Sequence, residues 1–537
     1  MQQYFIRHFR APIILLLGSV VVACGSGADS GGVVAPPSTP SLSVLNTRVS
    51  ESDTGATANL VFSIRLDHAV TDDVSFDYAT HNGTASDASD YLSTNGTGTI
   101  LGGSTQTTVT VSVTGDNTVE QNELLVLSIS NPSTGIDIAR ASAFGTIDND
   151  DGGMPVALAQ TGQQICADES GSIINCTGTG QDGEVLAGVV LPSPRFTDNG
   201  DGSYTDQLTD LIWPIQGNIM PSRDPGYDTE GTTDDGIVTW QTALNYVNKL
   251  NAESYLGYND WRLPNRNELR SLVNYNNVSL ESSGFMNYCA AYWSSSTFST
   301  ANPTVAANAW FVNVRSGFVS LNAKTDTTYA FLCVVPVRGG SNTAAAVIPQ
   351  TGQTQCFDSA GLTIACSGTG QDGEFQLGAH WPATRFGTNA DTTITDNLTG
   401  LAWAPNANVM PTRDPGWDVD FSDNDGAVTW QHALDYIAKL NTENYLGHND
   451  WRLPNVNEVL SLINYQTIPA DYLTTAGFSN VSGLYWTSDT WLLPTSVSSD
   501  SAWAAHIGTS ALSTVYGGSL PAMKKSSSDL YVWPVRG

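Results

Sequence analysis

Asn259-Asp260-Trp261-Arg262-Leu263-Pro264-Asn265 and Asn449-Asp450-Trp451-Arg452-Leu453-Pro454-Asn455 are one seven-residue stretch written twice, 190 positions apart. Outward from it the same offset persists. Gln160-Thr161-Gly162-Gln163 returns as Gln350-Thr351-Gly352-Gln353, and Gly180-Gln181-Asp182-Gly183-Glu184 returns as Gly370-Gln371-Asp372-Gly373-Glu374. Trp213, Arg223-Asp224-Pro225-Gly226 and Trp240 return as Trp403, Arg413-Asp414-Pro415-Gly416 and Trp430. No gap is needed until after Tyr465; beyond it Trp293 answers Trp486 and Arg338 answers Arg536, with small insertions. Two copies of this length, 160–339 and 350–537, are tandem domains rather than a solenoid, whose units run to about 20–50 residues.

Each copy reads as α+β. Thr239 precedes Trp240, Ala243, Leu244, Val247 and Leu250, a spacing that lines one face of a helix, with Thr239 as its N-cap. Thr429 begins the same pattern in the second copy. Asn265 followed by Glu268, and Asn455 followed by Glu458, are capping boxes that predict a second helix straight after the quoted stretch. Short alternating runs such as Ala309-Trp310-Phe311-Val312-Asn313-Val314 predict strands around these helices.

The first residues contain Arg7 and Arg10, then an apolar stretch from Ala11 to Val22, then Ala23-Cys24. This is the grammar of an export signal, and the stretch is short for a membrane span. Val21-Val22-Ala23-Cys24 resembles the lipobox of bacterial lipoproteins, which implies cleavage of residues 1–23 and lipidation of Cys24. The absence of an Asp after Cys24 resembles outer-membrane sorting, with the body facing the periplasm or the cell surface. Residues 24–40, rich in Gly, Ser, Ala and Pro, read as a flexible tether.

Seven cysteines in an oxidising compartment leave one over, and Cys24 accounts for it. Cys166 with Cys176, and Cys356 with Cys366, stand ten apart in matching contexts and close small hairpin loops. Cys289 and Cys333 are replaced in the second copy by Ser482 and Tyr531. Joint loss is what a bonded pair predicts, since a lone survivor would be a reactive thiol. Zinc ligation lacks any companion CxxC or clustered His.

With 21 Lys+Arg against 52 Asp+Glu, the chain carries −31, which repels phosphate backbones and makes cations better partners than nucleic acid. From Leu42 to Asp151 alternating segments recur every ten residues or so, among them Leu60 to Leu66, Thr108 to Val113 and Glu123 to Ile129. They read as an antiparallel sandwich over 41–152.

Val49-Ser50-Glu51, the run from Tyr78 to Ala85, Ser89-Asp90-Tyr91, the run from Gly115 to Glu120 and Ile147-Asp148-Asn149-Asp150-Asp151 resemble the Calx-beta family, an immunoglobulin-like sandwich. Such domains bind calcium at one end. The resemblance implies Glu51, Asp90, Asp116, Glu120, Asp148, Asp150 and Asp151 as ligands, and a hard divalent ion wants about six to eight oxygens. Asn117 and Asn149 stand where stronger binders are acidic, and Asp148 to Asp151 also reads as a solvated exit turn.

The run from Thr395 to Trp403, then Thr429-Trp430-Gln431, the quoted stretch and Tyr485-Trp486-Thr487-Ser488 resemble the Lcl C-terminal domain family, with Gln207 and Asp210 as mild departures in the first copy. The resemblance implies a C-type-lectin-like fold and a role in adhesion or glycan binding. The fold class expected is therefore multidomain: an all-β sandwich followed by two α+β C-type-lectin-like domains.

Acidic loops before the first helix of each copy, with Asp224, Asp228, Glu230, Asp234 and Asp235 in one and Asp414, Asp418, Asp420, Asp423 and Asp425 in the other, lack EF-hand spacing. Asp198-Asn199-Gly200-Asp201-Gly202 with Asp206 is nearer to a calcium turn. Arg262 with Glu268 and Arg452 with Glu458 read as loop-ordering ion pairs rather than catalytic groups. Trp417, Trp491 and Tyr227 are candidates for stacking on sugar rings. No nucleophile elbow, P-loop or His-Glu-x-x-His motif occurs, so catalysis is not expected. The resulting expectation is a lipid-anchored envelope protein that binds a glycan or surface protein. The alternative is a structural envelope protein without a small ligand.

Overall fold

The alternation read between Leu42 and Asp151 becomes two packed sheets in the computed structural model, which describes residues 39–537 apart from 53–54, 118–122, 149–154, 229–234, 277–278, 299–305, 327–331, 341–343, 419–424, 482, 493–499 and 509–517. The lipobox and Cys24 lie outside the described residues. In β3 (Thr57–Leu66) every second residue from Leu60 to Leu66 is buried, and in β6 (Gln106–Thr114) Val109, Val111 and Val113 are. A period of two is the pleat of a strand with one wet face, so pairing β3 to β6 from Thr57↔Thr114 to Arg65↔Gln106 puts both apolar sets on one side.

One sheet has the order β6-β3-β1-β8, with β1 (Ser41–Val44) and β8 (Asp137–Arg140). The other has the order β2-β9-β7-β4-β5, formed by β2 (Thr47–Ser50), β4 (Val74–Asn82), β5 (Asn95–Ile100), β7 (Glu123–Ser130) and β9 (Ser142–Asp148). The chain changes sheet between β1 and β2. Asn46 fixes that crossing, because its side-chain oxygen accepts the Phe144 N–H at 2.9 Å and also meets the Arg140 guanidinium.

Each repeat begins with a disulfide-closed hairpin, Cys166–Ala167 against Ile173–Ile174 and Cys356–Phe357 against Thr363–Ile364. The sulfur pairs are Cys166–Cys176, Cys356–Cys366 and Cys289–Cys333, as the cysteine spacing predicts. A body follows in which the first strands pair with the last: Leu211–Pro214 runs antiparallel to Arg338–Gly339, and Ala402–Trp403 to Val535–Arg536. Helices α1 (Trp240–Ala252) and α3 (Trp430–Thr442) start at Thr239 and Thr429, whose hydroxyls accept the N–H of Thr242 and His432. Both capping boxes are present, opening α2 (Arg266–Ser271) and α4 (Val456–Ser461).

The helices pack on a second sheet, Ala291–Thr297 with Asn308–Asn313 in one body and Leu484–Thr490 with Ser501–His506 in the other. From Pro40 to Gly537 the chain is one unit; the second body shares an apolar core with part of the first, while Trp240, Leu244 and Trp261 of the first lie in a separate cluster. Tyr275 of the first repeat packs edge-on against Trp503 of the second at 5.6 Å, while Tyr465 of the second meets Trp310 of the first at 5.8 Å. The sandwich joins the second repeat through Phe144 on Phe375, 5.1 Å between centroids, with Leu124, Val126 and Leu377 around them.

Candidate functional site

Backbone bonds gather acidic residues at one end of the sandwich. Glu51, just past β2 and only 5% exposed, donates its N–H to the Asp148 carbonyl at 3.0 Å. The Asp90 carbonyl accepts from the Thr114 N–H at 2.9 Å, and its carboxylate accepts from the Ser86 N–H at 2.6 Å. A Cβ at Gly115 would lie 1.7 Å from the Ser52 carbonyl, so only glycine lets the end of β6 close on the segment after Glu51. The segments that carry Glu51, Asp90 and Asp116 thus lie side by side. Asp148 shares this end, but the Arg48 guanidinium grips its carboxylate, Nε to oxygen 2.7 Å. Glu120, Asp150 and Asp151 lie outside the described residues. The donors are hard oxygens that suit calcium. Among the described residues, no group of three or more His, Cys, Asp or Glu side chains is arranged to hold a metal ion.

The acidic loops of the repeats are tied up in hydrogen bonds. Asp224 accepts from Lys249 at 2.6 Å, Tyr246 at 2.8 Å and Arg223 at 2.6 Å, and Asp414 has the same partners in Lys439, Tyr436 and Arg413. Asp228 and Asp418 each accept a glycine N–H, from Gly236 and Gly426, that closes the loop at 2.8 Å. Glu230, Asp234, Asp420 and Asp423 lie outside the described residues. The turn at Asp198 to Gly202 is a hairpin turn: Asp201 accepts from Ser203 and Tyr258, and Asp206 is buried under a bidentate Arg195. The aromatic residues singled out for sugar stacking are half-buried. Trp417 packs on His432 and Tyr436, Trp491 on Trp503, and Tyr227 on Tyr246.

The quoted stretch builds a largely buried charged site in each repeat. Arg262 donates both terminal nitrogens to Glu268 at 2.6 Å, and Glu268 also accepts the Asn265 N–H at 2.7 Å. Arg452, Glu458 and Asn455 repeat this at 2.6 and 2.8 Å. Beside each pair the hairpin of the opposite repeat enters. Gln163 exchanges two hydrogen bonds with the Thr490 backbone, at 2.6 and 2.8 Å, and Gln353 does the same with Thr297 at 2.7 and 2.8 Å.

Lys324 Nζ sits over the Trp240 ring and caps the carbonyls of Phe357 and Asp358, while Lys525 sits over Trp430 and caps those of Ala167 and Asp168. Burial pulls these lysines down, Lys324 to about 7 and Lys525 to about 8. Residue i of one repeat meets j of the other, and j meets i, which is the signature of an approximate two-fold.

Buried carboxylates mark both ends of this seam. Asp372 accepts from Ser296 at 2.6 Å and Thr351 at 2.7 Å, and burial pushes it up to about 6. At the other end Asp182, bonded to Thr161, faces Asp489, whose carboxylate accepts the Val456 N–H at 2.8 Å. Burial pushes Asp182 up to about 6 and raises Asp489 well above the ordinary range, the neighbouring Asp182 adding to that rise. Sequence reading found the Arg–Glu pairs and missed this seam. The repeated Gln-Thr-Gly-Gln was its signal, since a glutamine kept in both copies at a buried position needs backbone partners.

The architecture defines a multidomain, β-rich chain with one N-terminal sandwich and a duplicated second domain. The Calx-beta domain profile matches residues 38–151, and the Lcl C-terminal domain profile matches residues 202–335 and 392–536, more than half of the chain. The chain therefore belongs to the Lcl C-terminal domain family, in two tandem copies behind a Calx-beta domain. Both Lcl matches begin after the disulfide hairpins. No curated protein matches the chain. Among solved structures, the apo form of the Calx CBD1 domain is 22% identical over 21% of this chain and 99% of its own, with a TM-score of 0.19. CBD12 of CALX1.2 is 20% identical over 22% of this chain and 48% of its own, with a TM-score of 0.20. A two-domain protein of unknown function from Bacteroides fragilis is 12% identical over 24% of this chain and 51% of its own, at 0.16.

Proposed function

We propose that this chain is a cell-envelope lipoprotein, anchored through Cys24, that binds glycan or protein ligands through its two repeat bodies as lectin-like heads, with calcium at the acidic end of the sandwich. The observation that carries the reading is the reciprocal seam. It fixes two equivalent bodies about an approximate two-fold, so that a repetitive surface meets the same face twice and gains avidity when both ligands are in reach. Docking of Phe144 against Phe375 makes the sandwich a rigid stalk on the second repeat rather than a loose bead. The calcium reading is supported by the Calx-beta match and by the adjacency of the segments that carry Glu51, Asp90 and Asp116.

The test is glycan- and surface-protein-array binding by the full chain, once with calcium and once with a chelator. Binding that is weakened in a chain with one body altered supports the two-headed reading; silence on every array favours a purely structural envelope role. Calorimetric titration with calcium addresses the sandwich separately, with Glu51→Gln expected to abolish the heat.

A further inference from the structure

The two repeats differ beside one buried arginine. In the second repeat Arg385 grips Asp396 with two hydrogen bonds of 3.0 Å and lies between two rings, Trp381 at 4.3 Å and Phe386 at 5.0 Å from its guanidinium carbon. Trp381 is backed in turn by Tyr472, 5.8 Å away and tilted by 36°, and its indole N–H donates to the Gln350 carbonyl at 3.1 Å. In the first repeat Arg195 makes the same bidentate bond to Asp206 and the same bond to a helix-end carbonyl, Ser271 in place of Ser461. It has Phe196 on one side at 4.9 Å.

The position of Trp381 is held by Leu191, and that of Tyr472 by Ser279. The register is secure, because the next residues correspond: the carbonyls of Leu280 and Leu473 accept from Phe285 and Phe478, and each of those rings meets the Phe after its arginine. Where the second repeat is filled by its own indole and phenol, the first has a cleft of about 330 Å³, lined by Leu191, Pro192, Pro194, Arg195, Phe196 and Ser279 among others. That volume falls in the range of about 300–1,000 Å³ typical of small-molecule sites.

We infer that this cleft is a binding site for an aromatic ring of indole or phenol size, which stacks on the Arg195 guanidinium as Trp381 stacks on Arg385. The bidentate bond to Asp206 holds the planar guanidinium in place, so the ordering cost of its side chain is already met before binding. Nothing in this inference depends on calcium or on the glycan reading.

The test titrates the full chain by calorimetry with N-acetyl-tryptophanamide and N-acetyl-tyrosinamide. Free tryptophan and a short tryptophan-containing peptide are the arms that separate a small-molecule source from a protein side chain. One saturable site is expected. Leu191→Trp combined with Ser279→Tyr, which copies the second repeat, is expected to remove it at an unchanged melting temperature. Trp381→Leu with Tyr472→Ser is expected to add a second site; if that variant unfolds, the plugged chain decides alone. No saturable binding by the parent chain, or binding retained in the plugged chain, overturns the inference, as does saturation by methyl glycosides in place of the aromatic probes.

Discussion

The two ends of the inter-repeat seam are built on the same plan and differ in a few residues, one of which changes the chemistry. Where the first body has Ser296, the second has Asp489. Each caps the start of a helix, Ser296 accepting the Arg266 N–H at 3.1 Å and Asp489 that of Val456 at 2.8 Å. Each also faces an aspartate from the opposite hairpin, Asp372 or Asp182. One end is a hydroxyl-to-carboxylate hydrogen bond; the other sets two carboxyl groups together in a buried space. Two like charges there cannot both form without large cost, so the second arrangement needs a proton and the first does not. Both ends respond to acid, since burial also pushes Asp372 up to about 6, and only the second adds the repulsion between two carboxyl groups.

The largest expected effect tests whether the Arg–Glu pairs bear equal weight. Arg262→Ala leaves Glu268 buried without its counter-charge and should cost about 3–5 kcal/mol. Arg452→Ala should cost less, because the Arg452 side chain is 12% exposed against 3% for Arg262, and water reaches the remaining acid. Denaturant midpoints of the two variants check the order. Next comes the staple present in only one body. Replacing Cys289 and Cys333 by serine opens a 44-residue span and should cost about 2–4 kcal/mol. The second body manages with Tyr485 packed on Tyr531 at 5.8 Å in the corresponding place.

Asp489→Ser sharpens the comparison directly, by making both ends alike. Both acids have folded pKa values above their unfolded ones, so the folded chain holds protons that the unfolded chain releases. Their favourable contribution is complete below the ordinary aspartate value of 3.8 and is lost as pH rises through the folded values, about 6 for Asp182. The variant should therefore be more stable than the parent at pH 7.5, by on the order of 1–3 kcal/mol, and nearly equal at pH 4. Melting temperatures of the variant and the parent across that interval show it. A variant whose advantage over the parent is the same at pH 4 as at pH 7.5 contradicts the account. The smallest effect should be the same in both copies: Thr239→Ala and Thr429→Ala each lose an N-cap, at about 1 kcal/mol apiece.

What could be read from the sequence was whatever is local or doubled. Thr239, Asn265 and Glu268 announce their helices because a cap and its partner lie within three residues. The cysteine pairs were legible because the repeats compare themselves. The sandwich was legible in the alternation of β3 and β6. Exchange of the hairpins was not, since Gln163 and Thr490 stand 327 positions apart and neither carries a pattern that points to the other. Docking of Phe144 on Phe375 was hidden for the same reason, a lone aromatic on the outer face of a sheet being unremarkable in sequence. The acidic end was legible only in part, for the Arg48 grip on Asp148 depends on β2 and β9 lying parallel.

The clasp between Gln163 and Thr490 has a consequence for how the molecule is made. Its two halves are synthesised 327 residues apart, which at ribosomal speed is a delay on the order of tens of seconds. Until the last strands emerge, the earliest hairpin of the duplicated region has no floor to rest on, and its buried glutamine stays in water. Assembly of this protein is thus a locking of its first repeat by its last, complete only when the whole chain has been delivered.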